Sequence, residues 1–96
     1  MDPPQLDRLA KRFHALGEPT RLKIMEILSQ GEKSVGYLAE TLGMSQPSVS
    51  HHLKTLRLAR FARTRRQGKQ IFYSINDGSL GQMLSEGVSR LVTEAS

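Results

Sequence analysis

The sequence predicts a mainly α-helical domain carrying one β-hairpin, in the order four helices, two strands and a fifth helix. Three observations predict it. Apolar residues recur at three- and four-residue spacings through most of the chain. Gly17, Gly31 and Gly43 fall where those periodic runs stop. Between Phe61 and Ile75 the pattern changes to two β-type runs around a glycine-containing turn. With 96 residues, the chain has the size of one domain, taken as 1–96. Such a chain buries only about 60–65% of its unfolded surface, so pairing with a second copy would add useful apolar burial.

Leu6, Leu9, Phe13 and Leu16 give a first amphipathic helix from Pro4 to about Leu16, stopped at Gly17. Pro19 suits the first turn of a second helix, where a missing N–H costs nothing. Leu22, Met25, Ile27 and Leu28 are its expected buried stripe, and Gly31 ends it. Ser34 caps a short third helix with Val35, Leu38, Ala39 and Leu42 on one face, closed by Gly43. Met44 makes the turn, Ser45 caps a fourth helix, and Pro47 lies in its first turn. Val49, Leu53 and Leu56 form that helix's apolar stripe, leaving Gln46, Ser48, Ser50 and His51 off it. Phe61 to Arg66 and Gln70 to Ile75 then flank the turn Gln67-Gly68-Lys69. Asp77-Gly78 breaks the chain, and Ser79 caps a last helix with Leu80, Met83, Leu84, Val88, Leu91 and Val92 on one side.

Charge is distributed unevenly. From Ser45 to Gln70 there is no Asp or Glu, yet the stretch holds Lys54, Arg57, Arg60, Arg63, Arg65, Arg66 and Lys69. These are seven of the 14 basic residues; the other seven face all nine acidic ones, so the whole excess of +5 lies in this segment. Such a block points to a polyanionic partner. The chain has no cysteine, which excludes disulfides and thiolate metal sites. No apolar run approaches the roughly 18 residues of a membrane helix. The start Met1-Asp2-Pro3-Pro4 lacks the basic and apolar regions of a signal peptide, so a cytoplasmic location is expected.

Two helices joined by a tight glycine turn, then a two-stranded ribbon, describe a winged helix-turn-helix. The third helix braces the fourth, which enters a major groove with small polar residues leading. Gln46, Ser48 and Ser50 are suited to base edges or phosphates, and Ser45 with the helix N-terminus to a phosphate. His51 and Lys54 lie on the same side as these residues, and Arg63, Arg65, Arg66 and Lys69 on the hairpin suit phosphates or a minor groove. The expected partner is double-stranded DNA, and no cofactor is expected. An enzyme is not expected: no glycine-rich phosphate cradle, metal motif or nucleophile–base arrangement is present. Two other functions stay open, a winged-helix protein-interaction or RNA-binding module and a metal sensor using a novel site that involves His14.

Several segments resemble the arsenic-repressor (ArsR-type) family of winged-helix regulators, including its zinc-sensing SmtB-like branch. Ala15 to Leu28 is similar to the family's second helix, Leu42 to Leu56 to its recognition unit, and Arg65 to Tyr73 to its wing. The resemblance runs from about Leu6 to Val92. It implies a homodimer held by the first and last helices, with Leu6, Leu9, Phe13, Leu84, Val88 and Leu91 at the interface. It also implies repression at an inverted-repeat operator. The family's arsenic-type Cys-x-Cys falls on Ser34 and Gly36. Its zinc-type ligands fall on Asp77, Ser79, Arg90 and Thr93, of which only Asp77 could serve. Neither known metal site can form, and no metal ligand is assigned.

Overall fold

The computed structural model describes residues 2–76 and Gly78. Four helices and a small antiparallel sheet follow in the order α1 (Pro3–Leu16), α2 (Pro19–Leu28), β1 (Lys33–Ser34), α3 (Val35–Leu42), α4 (Gln46–Leu58), β2 (Ala62–Gln67) and β3 (Gln70–Ile75). The expected fifth helix, including Leu84, Val88 and Leu91, lies outside the described residues.

Helix α1 begins at Pro3, one residue before the expected start, because Asp2 and Gln5 form a reciprocal capping box. The Asp2 carboxylate accepts from the Gln5 N–H at 2.9 Å, and Gln5 Oε1 accepts from the Asp2 N–H at 3.0 Å. Glu18 caps α2 by accepting from the Arg21 N–H at 2.9 Å, with Pro19 behind it in the first turn. Ser34 and Ser45 cap α3 and α4, accepting from the N–H groups of Tyr37 and Ser48.

The core joins Ile24, Ile27 and Leu28 of α2, Leu38 and Ala39 of α3, and Val49, Leu53 and Leu56 of α4, with Ala15, Phe61, Ala62 and Tyr73. The expected apolar faces of α3 and α4 are thereby observed. The stripe of α2 needs correction. Leu22 is 51% exposed, whereas Ile24 is fully buried. The inward face runs through positions 21, 24 and 28, and the position one turn ahead of Ile24 is filled by Arg21, only 9% exposed. A charged residue at a core position hid the helix phase from apolar periodicity.

Hairpin β2–β3 pairs in register from Ala62↔Ile75 to Gln67↔Gln70. Its turn is therefore two residues, Gly68-Lys69, not the expected three. Gly68 has φ 61° at the first turn position, where a type II′ hairpin turn places glycine. Phe61 is not part of the strand; it is fully buried beneath the junction with α4. Strand β1 was not expected: Lys33↔Tyr73 and Ser34↔Phe72 pair it with β3, making a three-stranded sheet in the order β1-β3-β2. Two residues are too short to register as an alternating pattern.

Candidate nucleic-acid interface

Helices α3 and α4 meet at Gly43, whose φ of 65° is left-handed. Met44 N–H donates to Ala39 O at 3.0 Å and Gly43 N–H to Glu40 O at 3.3 Å, which closes the α3 C-terminus as a Schellman turn. The bend lets Val49, Leu53 and Leu56, all at 0% exposure, pack on the α3 face. The opposite side of α4 faces water.

Two arginines lock the frame around α4. Arg21 Nε donates to Ala15 O at 2.6 Å, Nη2 to His14 O at 3.4 Å, and Nη1 lies 3.3 Å from His52 Nδ1. The guanidinium thus supplies a donor to Ala15 O at the end of α1, adds a second to His14 O, which already accepts from the Gly17 N–H at 3.0 Å, and reaches α4. Arg12 Nε donates to Ala59 O at 3.1 Å just past the end of α4, and its guanidinium lies 4.9 Å from the Phe61 ring centre. Glu18 stands 3.8 Å from His52 Nδ1. Its carboxyl titrates below the ordinary range, first because the Arg21 N–H donates to it, then through the charges of His52 and Arg21. Sequence reasoning missed both arginines. The available signal was Arg21 standing in phase with Ile24 and Leu28.

On α4 the sequence-predicted residues divide. Gln46, Ser50, His51 and Lys54 are exposed, while Ser48 and His52 are half-buried. Ser48 and Ser50 are two residues apart, hence about 200° around the helix, so they flank opposite sides of the outward face. The Ser45 hydroxyl is committed as acceptor to the Ser48 N–H at 3.3 Å. Gln46 Nε2 lies 3.7 Å from where a Cβ on Gly36 would stand, so its amide reaches back over the start of α3. Arg57, absent from the expected set, is exposed in the last turn of α4, where a cation is favourable.

The hairpin places its cations on both faces. Buried Ala62 and Tyr73 mark the core side, which Thr64 and Arg66 share by strand alternation. Arg63 and Arg65 point to the other side, opposite Ser74 and Phe72. Lys69 is exposed in the turn. Arg63 Nε donates to Ser74 Oγ at 3.4 Å. Arg65 forms a two-pronged ion pair with Glu32, at 3.0 Å from Nε and 2.6 Å from Nη2. Those hydrogen bonds are the first cause of a lowered Glu32 pKa and of a raised Arg65 pKa.

The last turn of α4 gives way to β2 through Arg60, the one described non-glycine residue with positive φ, 67°. Phe61 N–H donates to Leu56 O at 2.9 Å, and Asn76 Nδ2 donates to Arg60 O at 3.0 Å, which holds the turn.

On the candidate dimer side, Leu6 and Phe13 of α1 are each 39% exposed, whereas Leu9 is partly buried against the chain's own core. His14 is exposed. Among the described residues, no group of three or more His, Asp and Glu side chains is placed to hold a metal ion.

A braced polar helix after a glycine turn, followed by a cationic hairpin, defines a winged helix-turn-helix of the transcription-regulator class. Comparison with known proteins agrees. Residues 18–64 match the family described as "Bacterial regulatory protein, arsR family". The chain is 42% identical over 76 residues to the HTH-type transcriptional regulator KmtR of Mycobacterium tuberculosis, covering 79% of this chain and 58% of KmtR. It is 42% identical over 64 residues to the transcriptional repressor SdpR of Bacillus subtilis, covering 67% of this chain and 71% of SdpR. Among solved structures, a homodimeric winged helix-turn-helix DNA-binding domain from Mycobacterium bovis superposes with a TM-score of 0.77 at 27% identity. That match covers 95% of this chain and 82% of the other. The chain belongs to the arsR family of bacterial regulatory proteins. It spans less than two thirds of the length of KmtR.

Proposed function

We propose that this chain is a homodimeric, sequence-specific DNA-binding repressor acting in the cytoplasm as one domain over 1–96, and that it has no enzymatic activity. The observation that carries the reading is the fate of the acid-free segment 45–70. It folds into two adjacent devices: a helix braced on its apolar side with a polar outer face, and a ribbon with cations on both faces. A nucleic-acid groove has a phosphate wall on each side, so a two-faced cationic ribbon suits it.

In this reading Gln46, Ser50 and His51 meet base edges, while Ser45, Ser48 and the α4 N-terminus approach a phosphate. Lys54, Arg63, Arg66 and Lys69 neutralise phosphates. Leu6 and Phe13 pair across a two-fold axis, with Leu9 behind them and Leu84, Val88 and Leu91 completing the interface. A two-fold dimer reads an inverted repeat whose half-sites are about one DNA turn, ~34 Å, apart. Repression is the role named for SdpR, and the homodimer is the state named for the Mycobacterium bovis domain.

A salt titration of binding to duplex DNA and duplex RNA tests the reading. Duplex DNA should bind with a steep salt dependence, and duplex RNA weakly, because its deep, narrow major groove does not admit α4. Equal binding to both would favour an RNA-binding or general polyanion role. Sedimentation should give a dimer mass at micromolar concentration. Zinc, cobalt and nickel at one equivalent should leave operator affinity unchanged, since neither family metal site has its ligands.

A further inference from the structure

The hairpin contains a clamp that phosphate contact does not explain. Glu32 immediately precedes β1, and its carboxylate accepts two hydrogen bonds from Arg65 of β2, at 3.0 and 2.6 Å. The remaining terminal nitrogen, Nη1, donates to Gln67 Oε1 at 2.9 Å. The guanidinium carbon lies 5.0 Å from the centre of the Phe72 ring. All three guanidinium nitrogens are engaged, and one face of the group is covered by an aromatic ring.

The register shows what the clamp spans. Ser34 pairs with Phe72, and Phe72 with Arg65, so these three residues form one row across β1, β3 and β2. The Glu32–Arg65 pair therefore bridges the two outer strands over the central one. Strand β1 leads directly into α3, so the bridge fastens the hairpin's outer strand to the segment that enters the helix-turn-helix. Only a planar fork makes two parallel bonds to one carboxylate; a lysine supplies the charge without that geometry. Two of the five N–H donors, one on Nη1 and one on Nη2, stay uncommitted, but a phosphate taking them would lie beside the Glu32 carboxylate, like charge against like, at a guanidinium whose charge Glu32 already balances.

We propose that Arg65 is a positioning residue for the wing and not a phosphate ligand. The Glu32–Arg65 fork sets the hairpin's pose against the helices. Arg66 and Lys69, which have no partner among the described residues, carry the charge of the hairpin tip to the DNA. The inference rests on the DNA-binding reading above and deepens it.

The test compares the salt dependence of duplex affinity for the unaltered protein, Arg66→Gln, Arg65→Lys and the double variant Glu32→Gln/Arg65→Gln. The double variant keeps net charge constant. Amide chemical shifts of the hairpin are recorded alongside. Arg66→Gln should lower the slope of log affinity against log salt by roughly one, as for a lost phosphate contact. The double variant should bind several-fold more weakly at an unchanged slope, and Arg65→Lys should behave in the same way although it retains the charge. Both should move the amides of Lys33, Ser34 and β2. A slope reduced by roughly one in the double variant, or full affinity in Arg65→Lys, would overturn the inference and make Arg65 a phosphate ligand. A near-zero slope in the unaltered protein would instead remove the DNA reading. The amides would then decide about the clamp alone, and unmoved Lys33 and Ser34 signals in the double variant would refute it.

Discussion

Helix α4 and the hairpin lie next to each other in sequence, yet they are held by opposite means. Helix α4 buries Val49, Leu53 and Leu56 completely, and Arg21 and Arg12 tie its surroundings by bonds to backbone carbonyls. Past Ala62 the hairpin has only Tyr73 buried, and its lateral fixture is a half-exposed ion pair. An element that reads base edges needs a fixed pose, because hydrogen-bond readout fails over fractions of an ångström. An element that supplies cations to a phosphate wall tolerates movement, because Coulomb attraction falls off slowly with distance. The difference in construction matches the proposed division of labour.

The largest effect expected from this contrast is on stability. Leu53→Ala should cost about 2–5 kcal/mol, as a large-to-small change in a sealed core, whereas Thr64→Ala on the hairpin should stay within about 0.5 kcal/mol. Urea unfolding measures both, and similar losses would break the comparison. Next comes Arg21→Met, which keeps the stem but removes the donors. The carbonyl of nearly buried Ala15 then loses its arginine, at a cost of about 1–3 kcal/mol for a buried unsatisfied acceptor. A gain in stability would show that Arg21 serves only as packing.

At the junction between the two regions, Arg60 has φ 67°, a conformation that disfavours any residue with a Cβ by about 1–2 kcal/mol. Part of that is offset by glycine's greater freedom when unfolded, so Arg60→Gly should raise stability by up to about 1 kcal/mol. A loss would mean that the Arg60 side chain contributes more than its backbone costs.

The smallest effect concerns pH. The Glu32 carboxyl is held below its ordinary value, first by the hydrogen bonds from Arg65. Its contribution to the fold is therefore complete above the ordinary carboxylate value and is lost as pH falls through the lowered one. Because the pair is exposed and screened, the change should appear in the hairpin amides before it appears in unfolding curves. An NMR titration should show Lys33 and Ser34 following Glu32, while Leu53 stays unmoved until global acid unfolding.

Much of this arrangement was legible in the sequence. The caps at Ser34 and Ser45, the helix stop at Gly43 and the apolar faces of α3 and α4 followed from spacing and cap chemistry, because each is a local relation within one turn of helix. The hairpin and its glycine were legible for the same reason. What was hidden depends on contacts far apart in sequence. Arg21 reaches His52 across 31 positions, and Glu32 reaches Arg65 across 33. The four cations of the hairpin, Arg63, Arg65, Arg66 and Lys69, looked equivalent, but Arg65 is paired with an acid outside the acid-free segment. Strand β1 exists only because β3 offers it an edge. Ser48 and Ser50 looked alike as small polar residues, yet helical phase places one half-buried and the other in water.

The central claim is the division between a reading helix and a charge-supplying wing. It is tested most directly by fluorescence anisotropy of a selected operator duplex and a random duplex, across a range of salt, with Gln46→Ala and Arg66→Ala. Gln46→Ala should lower the operator-over-random preference by about 1–3 kcal/mol and leave random-duplex binding unchanged. Arg66→Ala should weaken both duplexes alike and reduce the salt slope by roughly one. Equal losses on both duplexes for both variants, with the same change in slope, would contradict the division.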